Sequence, residues 1–343
     1  MGSVKSIFCP ICGKTAGMQP FSDNRRESGI CCGCGSWNRQ RLMALLLLRA
    51  VERSTGVRLA HLSSHDMPDS LQIFSAECFG ALHKTLGRLK GYTWSRYSGP
   101  LYESGEVVDG NPHQDLMATS FPGNKFDIVL TADVLEHIPE PYLAHREIYR
   151  ILKPGGVHIF TVPSNMNASL DDQRTAVVED GLIRLAPPEW HGTQEDSNLV
   201  YTVFGLEMMC HLWTLGFDVR FHEISRPDIG IVGPRAVGFE AIKHHEPLQR
   251  EIPTGLRDSR SSSQTARNIV DEMKKVFIER EEKMAENGQA GAAVGRVLEQ
   301  YRLELLKRET RIQELLASSS WRVTAPLRGV HNIMTKLMRK VCR

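Results

Sequence analysis

The chain has 343 residues, 41% of them hydrophobic and 24% charged, with a formal net charge of +2. This is the composition of a soluble globular protein with room for one domain of ordinary size and smaller additions, and so balanced a charge argues against a surface given over to nucleic-acid binding. The longest apolar run, "LMALLLL" at 42–48, is far shorter than the roughly 20 residues a helix needs to cross a bilayer, and "MGSVKSIFCPICG" lacks the apolar core of a secretion signal.

Five of the eight cysteines, Cys9, Cys12, Cys31, Cys32 and Cys34, fall at the start of the chain. A secreted disulfide framework would spread its pairs across the fold, so this crowding reads as metal ligation in a reducing compartment. "CPICG" and "CCGCG" give Cys9-x2-Cys12 and Cys31-x2-Cys34. Each turn can aim two thiolates at one ion, and two turns close a tetrahedral zinc site. Four thiolates leave no open coordination position, so the zinc would be structural. Gly13 and Gly35 follow the pairs, where tight knuckle turns need a residue free of Cβ strain. Cys32 is left over.

The following segments alternate short apolar runs with helical spacing. The pattern predicts a strand over 57–63 ("VRLAHLS"), a helix over 70–86 and a strand over 91–97. Next come a buried strand over 125–133, an amphipathic helix over 140–152 with Pro141 in its first turn, and a strand over 157–163. A helix over 203–216, ended by Gly216, precedes two final strands, "FDVRFHEI" and "AVGFEAIKH". Such alternation implies an α/β fold with a mostly parallel sheet covered on both faces.

"ADVLEH" at 132–137 puts Asp133, Glu136 and His137 at i, i+3 and i+4, one face of a helix. Three readings fit: a divalent-metal site, a proton-transfer site with His137 as base, or the ordinary start of a helix with His137 packing beneath it.

"FDIVLTADVLEHIPEPYLAHREIYRILKPGGVHIFTVP" resembles the second half of class I S-adenosylmethionine-dependent methyltransferases of the type 11-like kind. These are Rossmann-like α/β folds with a seven-stranded sheet whose last two strands form a hairpin. The resemblance covers about residues 57–245. The cysteine knuckle running into "GSWNRQRL", with "PPEWHG" and "LVYTVFGLEMMCHLWTLGF" downstream, is similar to a bacterial subgroup that joins a zinc knuckle to such a domain. The resemblance implies a knuckle and leading helix over 1–54 and a methyltransferase domain over 55–247; beyond it the polar "RDSRSSSQTARN" and the charged "DEMKKVFIEREEKMAEN" read as a linker over 248–268 and a helical tail over 269–343.

It also implies a set of cofactor contacts. The loop after the first strand, placed at "LSSHDMPDS", has no glycine; Ser63 and Ser64 are small enough to let the ligand come near, and His65 and Asp66 are the candidates for the amino-acid end of S-adenosylmethionine. The acidic residue that ends the second strand of the family falls at Arg96, which carries donors only, with Glu103 as a nearby substitute. Asp115 and Leu116 match the position that receives the adenine, and Ala132 lies in the crevice at the end of the fourth strand. Asp133, Glu136 and His137 follow it near the methyl group. Some members hold a divalent ion there with Glu-x-x-Glu-His, against which Asp133 is one methylene shorter. His191, beside Trp190, is a further pocket residue.

In the tail, Leu298, Leu305 and Ile312 recur every seven residues, with Tyr301 and Leu315 at companion positions, the pattern of a short self-associating coiled coil. "LASSSWRVTAPLRGV" resembles a motif that follows coiled segments in bacterial glycosyltransferases and other surface-polysaccharide enzymes. The last stretch sets Val330, Ile333, Met334, Leu337, Met338 and Val341 on one stripe among Lys336, Arg339, Lys340 and Arg343. That suits an anionic membrane surface or an acidic partner such as a glycosyltransferase. The expectation is a cytoplasmic enzyme, peripheral at the inner membrane, that O-methylates a sugar or lipid-linked glycan. The rivals are an RNA base methyltransferase with a zinc module and a degenerate, non-catalytic scaffold.

Overall fold

A computed structural model of the chain describes residues 6–166, 168, 170–178, 181–192, 197–233 and 236–244. The linker, the heptads and the basic end expected beyond 247 lie outside these residues. The chain divides into two compact units, one of Met1–Pro163 with Leu215–Leu248 and one that takes in Ser164–Thr214.

The first unit opens on a small ribbon, in which β1 (Ser6–Phe8) pairs antiparallel with β2 (Thr15–Gly17). The first cysteine turn closes between them through Gly13 N–H to Cys9 C=O at 2.9 Å, and the second through Gly35 N–H to Cys31 C=O at 2.8 Å. Helix α1 (Asn38–Thr55) follows directly and ends at Gly56 in the left-handed region. It buries Asn38, Arg39, Gln40 and Arg41 as well as Leu42 to Val51, sparing only Leu45 and Arg49 in that stretch. A helix buried nearly all round has neighbours on most sides: the knuckle contributes the Gly29 and Ser36 carbonyls that Arg41 bonds, and the sheet comes so close that a Cβ on Gly238 would lie 2.8 Å from Leu46.

The central sheet is built from β3 (Ile73–Ser75), β4 (Tyr92–Trp94), β5 (Phe126–Ala132), β6 (Leu152–Thr161), β7 (Phe217–Glu223) and β8 (Val237–Lys243), with α2 (Gly80–Leu86) and α3 (Pro141–Ile151) as crossovers. The order is β4-β3-β5-β6-β8-β7. The first four strands are parallel, and β8 runs antiparallel to both β6 and β7. β5 is apolar without alternation because both of its faces are covered, and Phe126, Ile128, Val129 and Leu130 are all buried. α3 turns Ala144, His145, Ile148 and Ile151 inward. A seventh strand is reduced to a single parallel bridge, Arg96 with His113, beside β4.

Two expectations are corrected. Residues 57–63 form turns, not a strand: Leu62 N–H and Ser63 N–H bond to the carbonyls of Pro10 and Ile11 at 2.9 and 3.1 Å, so the segment pads the cysteine knuckle. The first strand is instead Ile73–Ser75, inside the stretch expected to be helical over 70–86, of which only Gly80–Leu86 is helix. Ile73 and Phe74 are both fully buried on opposite sides of the sheet, and a short two-sided apolar run has no period that separates strand from helix. The other strands and helices lie where their patterns put them, within a few residues at each end, and Leu152 begins β6 instead of ending α3.

In the second unit, Asp172–Gln173 pairs with Thr202–Val203, Thr175–Val178 with Gly181–Arg184, and Trp190–Gly192 with Ser197–Leu199, all antiparallel. Helix α4 (Leu206–Thr214) buries Met208 and Leu212.

Candidate functional site

The parallel strands β3, β4 and β5 end on one edge of the sheet, the edge where ligands bind in open α/β folds. β3 runs into Ala76-Glu77-Cys78-Phe79-Gly80. Gly80 sits at φ 79°, and a Cβ there would lie 2.0 Å from Gln40 Nε2, so the first turn of α1 is pressed onto this loop. Gln40 Oε1 also accepts the Ala81 N–H at 3.3 Å, and the rings of Trp37 and Phe79 lie 6.4 Å apart. β5 ends at Ala132, and Asp133 takes a left-handed φ of 52°, uncommon outside glycine. Its N–H bonds to the carbonyl of Thr161 at 2.9 Å, and its Oδ1 accepts from the Thr161 hydroxyl at 2.9 Å and from Arg26 Nη2. Arg39 Nε lies 3.5 Å from the other carboxylate oxygen, and Arg39 Nη2 donates to Glu27 Oε1 at 2.5 Å.

Two guanidinium groups, Arg26 and Arg39, thus meet three carboxyl groups, Glu27, Glu77 and Asp133. Burial opposes the charge on Arg39, but Asp133, Glu77 and Glu27 outweigh it and its pKa is raised. Glu77, only 5% exposed, goes the other way: burial pushes it up to about 7, with Arg39 pulling it down by less. Trp37 Nε1, Arg39 Nε and Nη1, Gln40 Nε2 and Glu77 Oε1 are buried with no hydrogen-bond partner. Buried polar atoms are normally satisfied, so four orphan donors and an orphan acceptor here have the chemistry of a site for a ligand carrying both charges. Glu77 and Arg39 are the residues sequence reasoning missed, because the misplaced first strand put its crevice loop in the wrong segment. Read from the correct strand, a Gly three residues after an acid is the signal.

The sequence-predicted residues divide. Ser63, Ser64 and His65 lie in the turn region before β3, with Ser63 Oγ 2.9 Å from His61 Nδ1 and Ser64 Oγ donating to Asp66 Oδ2 at 3.0 Å; they do not follow a sheet strand. Arg96 is exposed, two residues past β4, and its N–H bonds to the Pro112 carbonyl at 2.9 Å. Asp115 caps its own turn, with Oδ1 accepting the Met117 N–H at 2.8 Å, and Leu116 is buried. Asp133, Glu136 and His137 do not share a helix face. Asp133 ends a strand, and Leu135–His137 is one 3-10 turn. Glu136 is fully buried with Oε1 3.7 Å from His137 Nε2, while the Asp133 carboxylate is engaged by Arg26, Arg39 and Thr161. His191 belongs to the second unit, where its Nε2 lies 3.2 Å from Glu189 Oε1 and neighbouring Trp190 is 53% exposed.

The Sγ atoms of Cys9, Cys12, Cys31 and Cys34 all lie within 4.8 Å of one another. Cys9 and Cys34 are 3.7 Å apart, which matches the edge of about 3.8 Å for a tetrahedron with zinc–sulfur bonds near 2.3 Å. Hydrogen bonds from Cys34 and Ser36 pull the Cys9 thiol down toward its thiolate. Cys32 is exposed and outside the group.

Residues 103–160 match a family model described as "Methyltransferase domain". Among curated proteins, the chain is 36% identical over 110 residues to a sterol 24-C-methyltransferase of Neurospora crassa, covering 32% of this chain and 26% of that protein. It is 40% identical over 70 residues to the ubiquinone biosynthesis O-methyltransferase of Pseudomonas aeruginosa, covering 20% and 30%. The chain therefore spans under a third of the length of these relatives. Among solved structures it is similar to the Streptomyces venezuelae protein DesVI, at 13% identity and a TM-score of 0.37 over 60% of this chain and 92% of that one. Residues 103–160 are thus similar to a methyltransferase domain, and they lie within a unit whose mostly parallel sheet is closed by an antiparallel hairpin.

Proposed function

We propose that this chain is a methyltransferase that uses S-adenosylmethionine and transfers the methyl group to a hydroxyl of a sugar or lipid-linked glycan in bacterial surface-polysaccharide synthesis. The observation that carries the donor is the cluster at the sheet edge. S-adenosylmethionine brings an ammonium, a carboxylate and a sulfonium. Glu77 suits the ammonium, Arg39 Nη1 and Trp37 Nε1 suit the carboxylate, and three carboxyl groups against two guanidiniums suit a ligand of net positive charge. Asp115 and Leu116 are kept for the adenine. Arg96, which cannot accept hydrogen bonds, leaves the ribose to Glu103.

When bound, the donor presents a methyl carbon that an acceptor oxygen attacks in line as the carbon–sulfur bond breaks and its electron pair returns to sulfur. The chain has to align the acceptor, exclude water and take the hydroxyl proton. We assign the proton to His137, with the Glu136 carboxyl 3.7 Å from its imidazole. The metal alternative for Asp133, Glu136 and His137 is disfavoured by the two arginines already on Asp133. The four knuckle cysteines hold a structural zinc. Among the described residues no helix is long and apolar enough to cross a membrane; we assign membrane contact and self-association to the tail on its sequence pattern alone.

Calorimetric titration with S-adenosylhomocysteine tests the donor. Transfer of a radiolabelled methyl group to lipid-linked saccharides, with bulk RNA as the competing acceptor, tests the acceptor. No binding of S-adenosylhomocysteine would leave the degenerate scaffold as the better account. Labelling of RNA alone would move the enzyme to nucleic acid.

A further inference from the structure

We infer that the zinc knuckle is a positioning device for the methyl-donor crevice, acting through Arg26. The inference rests on the donor reading above. Arg26 belongs to a 3-10 turn, Arg25–Glu27, in the loop between the two cysteine pairs. The metal would pin that loop at both ends, through Cys12 and Cys31. Inside the loop, the Ser28 hydroxyl donates to Asn24 C=O at 2.7 Å and accepts the Ser22 N–H at 3.1 Å, and Asn38 Nδ2 donates to Arg25 C=O at 2.9 Å. The turn is therefore held as one piece against the start of α1.

From this piece two side chains reach the crevice wall. Arg26 donates to Asp133, 107 positions along the chain, and Glu27 accepts from Arg39. Asp133 and Arg39 are in turn ion-paired to each other at 3.5 Å. Asp133 holds an uncommon left-handed backbone, and such conformations persist where the surroundings over-determine them. Its surroundings are Thr161 from β6, Arg39 from α1 and Arg26 from the knuckle loop. Removing the metal frees the loop ends, withdraws Arg26 and Glu27 together, and leaves Arg39 and Asp133 to rearrange against a buried Glu77. Metal binding and donor binding are then coupled, and coupling of this kind acts equally in both directions.

The test uses the full-length, zinc-loaded protein. S-adenosylhomocysteine is titrated calorimetrically into wild type, Arg26→Ala, Arg26→Lys, Glu27→Gln and, as a control far from the crevice, Arg58→Ala. Zinc content and melting temperature are measured on each. Arg26→Ala should weaken S-adenosylhomocysteine by about 10-fold, within the usual range for coupling between two sites, with one zinc still bound and melting unchanged. Arg26→Lys should recover part of the loss and Arg58→Ala should match wild type. Saturating S-adenosylhomocysteine should also make the wild type give up zinc less readily to a chromogenic chelator, and Arg26→Ala should erase that difference. Wild-type protein that binds S-adenosylhomocysteine, with Arg26→Ala and Glu27→Gln binding it equally well, overturns the inference and leaves the donor reading standing. So does zinc retention indifferent to the ligand. Wild-type protein that binds no S-adenosylhomocysteine overturns the donor reading itself, and the inference with it.

Discussion

Arg41, completely buried in α1, donates to the carbonyl oxygen of Gly230 from both Nε and Nη2, at 3.1 and 2.7 Å. The same guanidinium donates to the carbonyls of Gly29, at 2.7 Å, and Ser36. One side chain thereby staples the knuckle, the leading helix and the turn before β8. Burial lowers its pKa, opposed by the negative charge of Cys9, Cys31 and Cys34. Replacing Arg41 with Met leaves three carbonyls short of donors at a cost of about 3 kcal/mol or more. Arg41→Lys should recover little, since an ammonium lacks the planar fork. Urea unfolding of the two variants measures this, and a loss under about 1 kcal/mol for Arg41→Met would contradict it.

Zinc should copurify at one ion per chain, held by Cys9, Cys12, Cys31 and Cys34. Cys12→Ser and Cys34→Ser should each lose it and melt at lower temperature, whereas Cys32→Ser, exposed and outside the group, should keep it. Elemental analysis reads the metal directly; a full zinc complement in Cys34→Ser would remove that residue from the ligand set.

Glu77 makes stability fall as pH rises. Its folded pKa of about 7 lies above the ordinary 4.5, so between those values the unfolded chain has released a proton that the folded chain keeps. The loss accumulates from pH 4.5 to 7, amounts to about 3 kcal/mol at most, and is flat above. Glu77→Gln should abolish this slope in denaturant midpoints measured across that range. If Glu77 receives the donor's ammonium, S-adenosylhomocysteine binding near pH 6.5 should expel a proton. Binding heats in buffers of different ionisation enthalpy report it, and heats independent of buffer would remove Glu77 from the ammonium site.

His137→Ala should slow methyl transfer by about 10²–10⁴-fold, the usual share of a general base, while leaving S-adenosylhomocysteine affinity intact. Asp133→Asn should do the reverse, weakening the ligand through the lost charge on Arg26 and Arg39 while preserving a residue that tolerates left-handed backbone. A rate per folded molecule unchanged in His137→Ala would make His137 a packing residue.

Much of this architecture is legible in the sequence where an element is long or chemically marked. The run Phe126–Ala132 and the helix Pro141–Ile151 declare themselves by length and period, and the cysteine pairs by spacing. The first strand does not, because Ile73–Ser75 is three residues long and buried on both faces, whereas the decoy "VRLAHLS" owes its apolar Leu62 to packing under the knuckle. That displacement moved the crevice loop and hid Glu77. Nor could spacing show that Asp133 leaves the helix face of Glu136 and His137. The left-handed turn separating them is set by the Thr161 and arginine contacts, which come from segments far away in the chain.

The conformation of Asp133 also narrows what mutation can explore. At φ 52° the backbone admits glycine, asparagine and aspartate with little strain and most other residues only with it. The two arginines beside it admit only a negative charge. The two filters share a single member of the genetic alphabet. A saturation library at this codon should therefore return aspartate almost alone under selection for activity, and asparagine and glycine as well under selection for folding alone. The same residue would thus separate, in one experiment, the pressure to fold from the pressure to function.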